Sequence, residues 1–157
     1  MPWTEFPPEC VTDSTEETES LARKAALLLE TAGRPRFVAL FGDLGVGKTA
    51  FVRGFVSHFA PQARVKSPTF SLVNEYRNRK TGIRILHFDL YRIENDDDLY
   101  SIGYYDEIEG SSLCLCEWCE KIPSALPEEY LEVKIEKISP DLPDKRRLSF
   151  RMVKGKA

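Results

Sequence analysis

The chain has 157 residues, of which 42% are hydrophobic and 30% charged, and its formal net charge is −3. This composition excludes a disordered chain, and the length suits one domain over residues 1–157, with a core at about 13–152 and a frayed C-terminal tail. The slightly acidic balance gives no general reason to expect nucleic-acid binding. No apolar run is long enough to cross a bilayer, and the first residues lack the pattern of a secretory signal. We therefore expect a cytosolic protein without membrane contact.

The N-terminal part of the chain predicts a helix and then a buried strand. Asp13 or Ser14 can cap a helix whose apolar residues recur at helical spacing, and Gly33 with Pro35 ends it. Residues 37–41 form a continuous apolar run, which is typical of a central parallel strand. A turn punctuated by glycine follows, and helical periodicity then returns over residues 48–59 and predicts a second helix.

The rest of the chain predicts shorter elements. In chain order they are a loop and strand, a hairpin turn, a strand, a short helix and a core strand, at residues 65–76, 78–82, 83–89, 96–102 and 113–117. Residues 130–138 and 147–152 are typical of edge strands with one face in solvent. This order of elements predicts a three-layer α/β domain of the P-loop NTPase type, with a largely parallel central sheet and antiparallel edge strands.

A phosphate-binding pattern, G-x-x-x-x-G-K-[ST], is matched in full between the first strand and the second helix. Glycines allow successive N–H groups to converge on phosphates, and the following helix adds the partial positive charge of its N-terminus. Lys48 is then expected to reach the β- and γ-phosphates, and the Thr49 hydroxyl to contact Mg²⁺. A chance glycine turn is the alternative, which the flanking strand and helix disfavour. The expected nucleotide-binding residues of the loop are Gly42, Asp43, Leu44, Gly45, Val46, Gly47, Lys48 and Thr49.

Two acidic residues, Asp89 and Glu117, each end an apolar strand. Ligands of open parallel sheets lie beyond the carboxyl ends of the strands, so both carboxylates can face Mg²⁺ or its waters. Either residue could instead be a solvated strand end. The sequence has no Asn/Thr-Lys-x-Asp element of the kind that pairs with guanine, which favours ATP over GTP.

The chain has four cysteines, which in a cytosolic protein are expected to be free thiols. Cys114 and Cys116 fall in a predicted buried strand. Together with Cys119 they have a C-x-C-x-x-C spacing that could hold zinc. A zinc ribbon would need a second ligand pair, and neither histidine lies nearby in the sequence.

Four blocks, taken in this order, resemble the TsaE (YjeE) family: the phosphate loop, K-S-P-T-F-S-L-V at 66–73, H-F-D-L-Y-R at 87–92, and E-W at 117–118. The two middle blocks are far more specific than the phosphate loop. The resemblance implies a small ATPase of the bacterial tRNA threonylcarbamoyladenosine pathway that acts with TsaD and TsaB and meets tRNA only through them. It also implies that ATP binding and hydrolysis reset or regulate the TsaD–TsaB pair, without transferring the threonylcarbamoyl group.

The resemblance implies roles for individual residues. Thr49 and Glu117 correspond to Mg²⁺ contacts and Asp89 to the acidic Walker-B-like position, so Lys48, Asp89 and Glu117 are the expected catalytic residues. Further nucleotide contacts are implied at Thr18, Ser67, Thr69 and Trp118. The chain departs from the family pattern at Cys119 and over residues 104–108. These departures bear on partner contacts and not on the phosphate loop.

Three alternatives remain open at this point. A small-molecule kinase shares the phosphate chemistry, although little sequence is left for an arginine-bearing lid, and a regulatory switch would use ATP occupancy alone. For the ATPase interpretation itself, Arg92 is the candidate for an internal arginine that supports hydrolysis. Direct tRNA contact is the third alternative, for which a solvated strand edge is the competing interpretation. It would use a basic stripe made of Lys134, Lys137, Lys145, Arg146, Arg147 and Arg151.

Overall fold

A computed structural model of the chain describes residues 6–43, 45–68, 72–110 and 112–155. Its strands are β1 Glu9–Thr12, β2 Phe37–Phe41, β3 Val73–Arg77, β4 Arg84–Asp89, β5 Leu113–Glu117, β6 Tyr130–Ser139 and β7 Leu142–Val153. Its helices are α1 Thr15–Ala32, α2 Lys48–Phe59, α3 Asp96–Ser101 and α4 Tyr104–Glu109, with short 3₁₀ helices at Cys119–Lys121 and Pro123–Ala125.

The strands form one seven-stranded sheet in the order β1-β7-β6-β2-β5-β4-β3. The four central strands run parallel, with β2 between β6 and β5, and β4 next to β5. The outer strands β3, β7 and β1 pair antiparallel. The predicted parallel centre with antiparallel edges is therefore confirmed.

Helices cover both faces of the central strands. Successive residues of a strand point to opposite sides of the sheet, so an apolar strand presents an apolar face on each side. Val38 and Leu40 of β2 pack in one buried cluster with residues of α1 and α2. Phe37 and Ala39 pack in a second cluster with residues of α3 and α4. This gives the three predicted layers. Among the described helices, none has the length and apolar character needed to cross a bilayer.

Helix α1 begins and ends where its capping residues predict. The Ser14 side chain accepts a hydrogen bond from the Glu17 N–H at 3.1 Å, and the Glu17 carboxylate accepts one from the Asp13 N–H at 2.6 Å. Gly33, with φ 78°, donates its N–H to the Leu29 carbonyl. An N-cap of this kind contributes about 1 kcal/mol.

The prediction that residues 130–138 and 147–152 form edge strands is wrong, because β7 lies between β6 and β1. β6 pairs with β2 on one side and with β7 on the other, and Leu131, Val133 and Ile135 lie in the buried cluster. The alternation of apolar and charged residues reflects one open face of the sheet, and it does not show whether the strand also has an open edge.

The ends of the ordered domain also differ from prediction. Strand β1 and helix α4 were not predicted, and Phe6 packs edge-on against Phe150 with ring centres 4.8 Å apart, so the core begins before residue 13. Residues from Arg151 onward were expected to fray, but β7 continues to Val153. Arg151 Nε donates to Glu132 at 2.9 Å, which joins the end of β7 to β6.

Candidate functional site

The loop between β2 and α2 is shaped by its glycines. Gly42 has φ 149°, and a Cβ there would lie 2.6 Å from the Ile135 carbonyl oxygen and 2.7 Å from a methyl of Val46. Only glycine fits, because the backbone of β6 passes directly behind the loop. Gly47, with φ 107°, precedes α2 and provides no side-chain cap. The first N–H groups of α2 therefore remain available to an anion bound in the loop. Leu44 of the loop lies outside the described residues.

Lys48, the first residue of α2, is 5% exposed. Its Nζ donates to the Gly42 carbonyl at 2.8 Å and lies 3.8 Å from the centre of the Trp118 ring. Burial lowers the pKa of Lys48, and nearby carboxylates, first among them Glu117, oppose that shift. The ammonium group is thus held by a carbonyl dipole and an aromatic face, and a phosphate would offer it a stronger, fully charged partner.

Asp89 and Glu117 lie side by side at the carboxyl ends of neighbouring parallel strands, as Cα partners in the β4–β5 register. Glu117 is also the partner of Leu40 in β2, the strand that leads into the phosphate loop. By strand alternation both acidic residues share a face with Ile85 and Leu115, which pack in the α1/α2 cluster. Both carboxylates therefore lie on the side of the sheet that carries α2.

The two carboxylates differ in their surroundings. Glu117 is 4% exposed, whereas Asp89 is less buried and its Oδ1 accepts the Tyr91 N–H at 2.9 Å. Burial raises the pKa of Asp89; the Tyr91 N–H opposes this shift and the Glu117 carboxylate adds to it. Two carboxylates beside a phosphate-binding loop would repel a triphosphate unless a cation lay between them.

The donor set fits Mg²⁺ better than zinc. In the described ranges, no three His, Cys, Asp or Glu side chains are grouped so that they could hold a metal ion by themselves. Mg²⁺ takes oxygen ligands and is usually bound by one or two carboxylates together with substrate phosphates and waters. Glu117 and Asp89 could supply the carboxylates of such a site, and the Thr49 hydroxyl a further oxygen. The cysteines are free thiols, as predicted, and Cys114, Cys116 and Cys119 are buried.

His87 was not among the predicted site residues, yet it contacts one of them. Its ring is fully buried, and Nε2 lies 2.5 Å from Glu117 Oε2. His87 precedes Asp89 by two residues in β4 and therefore lies on the same face of the sheet. That alternation is the sequence signal that could have identified it.

Trp118 lies immediately after β5 in a left-handed backbone conformation, with φ 64°. A positive φ is uncommon for a bulky residue and is often found at functional sites. The ring lies beside Lys48, and the Tyr91 ring packs against it edge-on at 5.1 Å between centres. Tyr91 in turn has Lys121 Nζ 4.9 Å from its own ring centre. The structure thus brings the predicted Trp118 to the phosphate loop and adds Tyr91.

Ser67 is exposed on the segment that leads to β3. The preceding residue, Lys66, is held by the Tyr76 hydroxyl, which accepts the Lys66 N–H at 3.2 Å and donates to the Lys66 carbonyl at 3.1 Å. Leu72, with φ 64°, accepts the Asp89 N–H through its carbonyl at 2.9 Å. The segment is therefore tied to β3 at one end and to the strand of Asp89 at the other.

Thr18 lies near Val46 of the loop and is 3% exposed. Its hydroxyl is 2.7 Å from that of Thr12, and it lines a small cavity of about 50 Å³ together with Val46 and Arg146. Arg146 Nε donates to the Val46 carbonyl at 2.7 Å, which anchors the loop to β7. Sequence reasoning missed this role for Arg146. Thr69, the remaining predicted contact, lies outside the described residues.

The predicted basic stripe is largely engaged in pairs within the chain. Beyond Arg146, three of its members form ion pairs at 3.3, 3.1 and 2.9 Å, namely Lys145 with Asp13, Arg147 with Glu9 and Arg151 with Glu132. These contacts fasten β7 to its neighbours. They favour a solvated surface held by ion pairs within the chain over a phosphate-binding surface.

Comparisons with known proteins identify relatives of this chain. The family profile "Threonylcarbamoyl adenosine biosynthesis protein TsaE" matches residues 12–148. The chain is 44% identical over 99 residues to the tRNA threonylcarbamoyladenosine biosynthesis protein TsaE of Haemophilus influenzae. This match covers 63% of this chain and 61% of that protein, so it spans less than two thirds of the relative's length. It is 32% identical over 142 residues to the protein of the same name from Bacillus subtilis, covering 90% and 84% of the two chains.

A solved structure gives the same picture. The crystal structure of YdiB from Bacillus subtilis superposes with a TM-score of 0.68 and 30% sequence identity, over 92% of this chain and 84% of that one. The family profile spans nearly all the described elements, from the end of β1 into β7. The chain therefore belongs to the TsaE family of threonylcarbamoyl adenosine biosynthesis proteins.

Proposed function

We propose that this protein binds Mg-ATP at residues 42–49 and hydrolyses it slowly, as an ATPase required for threonylcarbamoyladenosine formation in tRNA. One observation carries the proposal: the Lys48 ammonium group at the loop lies next to two carboxylates, Asp89 and Glu117, that end adjacent parallel strands. This is the charge arrangement that a bound Mg-triphosphate requires. Family membership supports the assignment to the tRNA modification.

In the proposed complex the chain divides the triphosphate between two kinds of group. The backbone N–H groups of the loop, the first turn of α2 and Lys48 bind the phosphate oxygens. Thr49, Glu117 and Asp89 would hold Mg²⁺, which when bound neutralises charge on the β- and γ-phosphates. Trp118 limits the space around Lys48. Thr18, which lines a small cavity with Val46, would contact the nucleoside.

Hydrolysis needs a carboxylate that orients the attacking water, and Glu117 or Asp89 takes that role. P-loop hydrolysis is slow until a further cation stabilises the charge that develops on the transferred phosphoryl group, and that cation can be supplied by a partner. We propose TsaD and TsaB as the partners, with tRNA met only through them. Because so much of the basic stripe is ion-paired, the structure offers little support for direct tRNA contact.

The test combines binding with a cellular readout. Lys48→Ala should abolish measurable ATP binding by titration calorimetry, and in cells depleted of the protein it should fail to restore threonylcarbamoyladenosine, measured by mass spectrometry of tRNA nucleosides. Lys24→Ala, at an exposed position of α1, is the matched control and should restore it fully. If Lys48→Ala binds ATP as tightly as wild type, the assignment of the loop is wrong.

Two further outcomes separate the alternatives. Incubation with nucleosides and small acceptors should release free phosphate, and a phosphorylated acceptor would instead indicate a kinase. Capture of TsaD and TsaB should depend on whether ATP or ADP is present. Equal capture in both states would contradict nucleotide-controlled action with these partners.

A further inference from the structure

His87 is a fully buried ring whose hydrogen bonding is only half satisfied. Nε2 lies 2.5 Å from Glu117 Oε2. Nδ1 is also buried and has no hydrogen-bond partner among the described residues. Folded proteins satisfy nearly all their buried polar atoms, so a histidine that leaves one nitrogen unpaired needs an explanation.

The unpaired Nδ1 indicates where the ring carries its hydrogen. A hydrogen on Nδ1 would be a buried donor without an acceptor among the described residues. With the hydrogen on Nε2, the ring donates directly to the Glu117 carboxylate. The arrangement of the described residues therefore favours a hydrogen on Nε2, with Glu117 as the acceptor.

The position of His87 in the sheet shows what this hydrogen bond does. The Cα partner of His87 on β5 is Leu115, and Glu117 is two residues nearer the carboxyl end of that strand. The His87 ring therefore reaches Glu117 from the interior of the sheet, on the face that carries α2. Oε2 is engaged on that side, and Asp89 and the phosphate loop lie at the carboxyl ends of these strands.

We propose that His87 is a positioning residue that fixes the orientation of the Glu117 carboxylate, and so supports hydrolysis without touching the nucleotide. The proposal rests on the proposed ATPase function. A glutamate side chain has several rotatable bonds, and the nearby Lys48 ammonium attracts it. The rigid ring of His87, itself fixed by burial, prevents Glu117 from turning towards Lys48. Substitution of a residue that holds a metal ligand in place in this way typically lowers activity or metal affinity by about 10- to 100-fold.

Paired substitutions test the hydrogen bond separately from the packing. His87→Leu removes the donor and keeps an apolar side chain in the core, whereas His87→Gln keeps an N–H donor at the end of a side chain of similar reach. We expect His87→Leu to lower kcat and to raise the Mg²⁺ concentration needed for half-maximal rate, together by about 10- to 100-fold. His87→Gln should recover most of the loss, at similar affinity for ATP. Equal losses in both variants would overturn the positioning role.

A double-mutant cycle tests whether His87 acts through Glu117. In a Glu117→Gln background, His87→Leu should change kcat by less than about twofold, because the group it positions is already altered. Losses that multiply in the double variant would show that His87 acts on the fold in general. Thermal unfolding of all variants identifies any that are not folded at the assay temperature.

A spectroscopic measurement needs neither activity nor nucleotide. The chain has two histidines, so His58→Gln leaves His87 as the only imidazole. Long-range ¹H–¹⁵N correlation spectra of this variant should show the Nε2–H tautomer, and a ring protonated on Nδ1 would refute the proposal even if every substitution failed to fold.

These results are distinguishable from failure of the proposed function. If Lys48→Ala binds ATP normally, the function is wrong whatever the tautomer of His87. If Lys48→Ala loses ATP while His87→Leu hydrolyses it at the wild-type rate, only the role of His87 is wrong.

Discussion

The Lys48 ammonium nitrogen lies 3.8 Å from the centre of the Trp118 ring and 2.8 Å from the Gly42 carbonyl oxygen. Both contacts are with groups that carry partial negative charge and neither is an ion pair. A cation on the face of an indole gains about 0.5–2 kcal/mol, which is less than a charge-assisted hydrogen bond to phosphate can provide. We therefore expect ATP to draw Lys48 away from Trp118.

The indole of Trp118 should report that movement, because its emission responds to a charge near the ring. The chain has two tryptophans, and Trp3→Phe leaves Trp118 as the only one. Mg-ATP should change the fluorescence of this variant, and adding Lys48→Met should abolish the change. A protein with Trp118→Phe and Trp3 retained is the control, and an equal response from it would show that the signal does not arise at Lys48.

Substitution of the two carboxylates should separate water positioning from metal binding. Glu117→Gln and Asp89→Asn should each lower kcat by about 10²-fold or more, as expected when a positioned acid or base is lost. Substitution of the residue that mainly holds Mg²⁺ should also raise the Mg²⁺ concentration needed for half-maximal rate, measured by phosphate release. Glu120→Gln is the control, because this exposed residue acts on Lys48 only through its charge. A comparable loss in Glu120→Gln would mean that general electrostatics explains the effect.

Gly42→Ala should disable the phosphate loop, because its Cβ would lie 2.6 Å from the Ile135 carbonyl and neither backbone can easily move. We expect loss of ATP affinity by at least about tenfold, with destabilisation of about 1–3 kcal/mol. Gly82→Ala is a matched control, since Gly82 has φ 76° but a Cβ there would meet no atom of the described residues within 4 Å. It should lose about 1–2 kcal/mol from backbone strain alone and bind ATP normally. Urea unfolding and calorimetry measure the two effects, and normal ATP binding by Gly42→Ala would contradict the prediction.

Gly54→Ala should destabilise the packing of α1 on α2. A Cβ at Gly54 would lie 2.2 Å from the Glu19 carbonyl oxygen, so the helices must separate. Alanine improves helix propensity by about 1 kcal/mol, but overpacking of this kind costs about 1–3 kcal/mol, and we expect a net loss in the free energy of unfolding. Gly110→Ala, whose nearest contact would be 3.4 Å away, should remain close to wild type. A stabilised Gly54→Ala protein would show that the helices separate at no cost.

Local sequence patterns predict those elements that depend on contacts between residues close together in the sequence. Ser14 and Gly33 bound α1 because capping groups bond to backbone atoms of the adjacent turn. The phosphate loop was readable because positive φ angles demand glycine at positions such as Gly47. Asp89 and Glu117 were found in the same way, since each directly follows an apolar strand.

Only the tertiary structure decided which strands became neighbours. β6 lies inside the sheet and β1 at its edge because of pairing between segments far apart in sequence, which alternation within one strand does not encode. The contacts of Glu117 with His87 and of Trp118 with Lys48 depend on the same pairing. A shift of one residue in the β4–β5 register would move Glu117 relative to His87 and break their hydrogen bond. The chemical groups of the site could therefore be identified from the sequence, whereas their mutual orientation is set by the register of the assembled sheet.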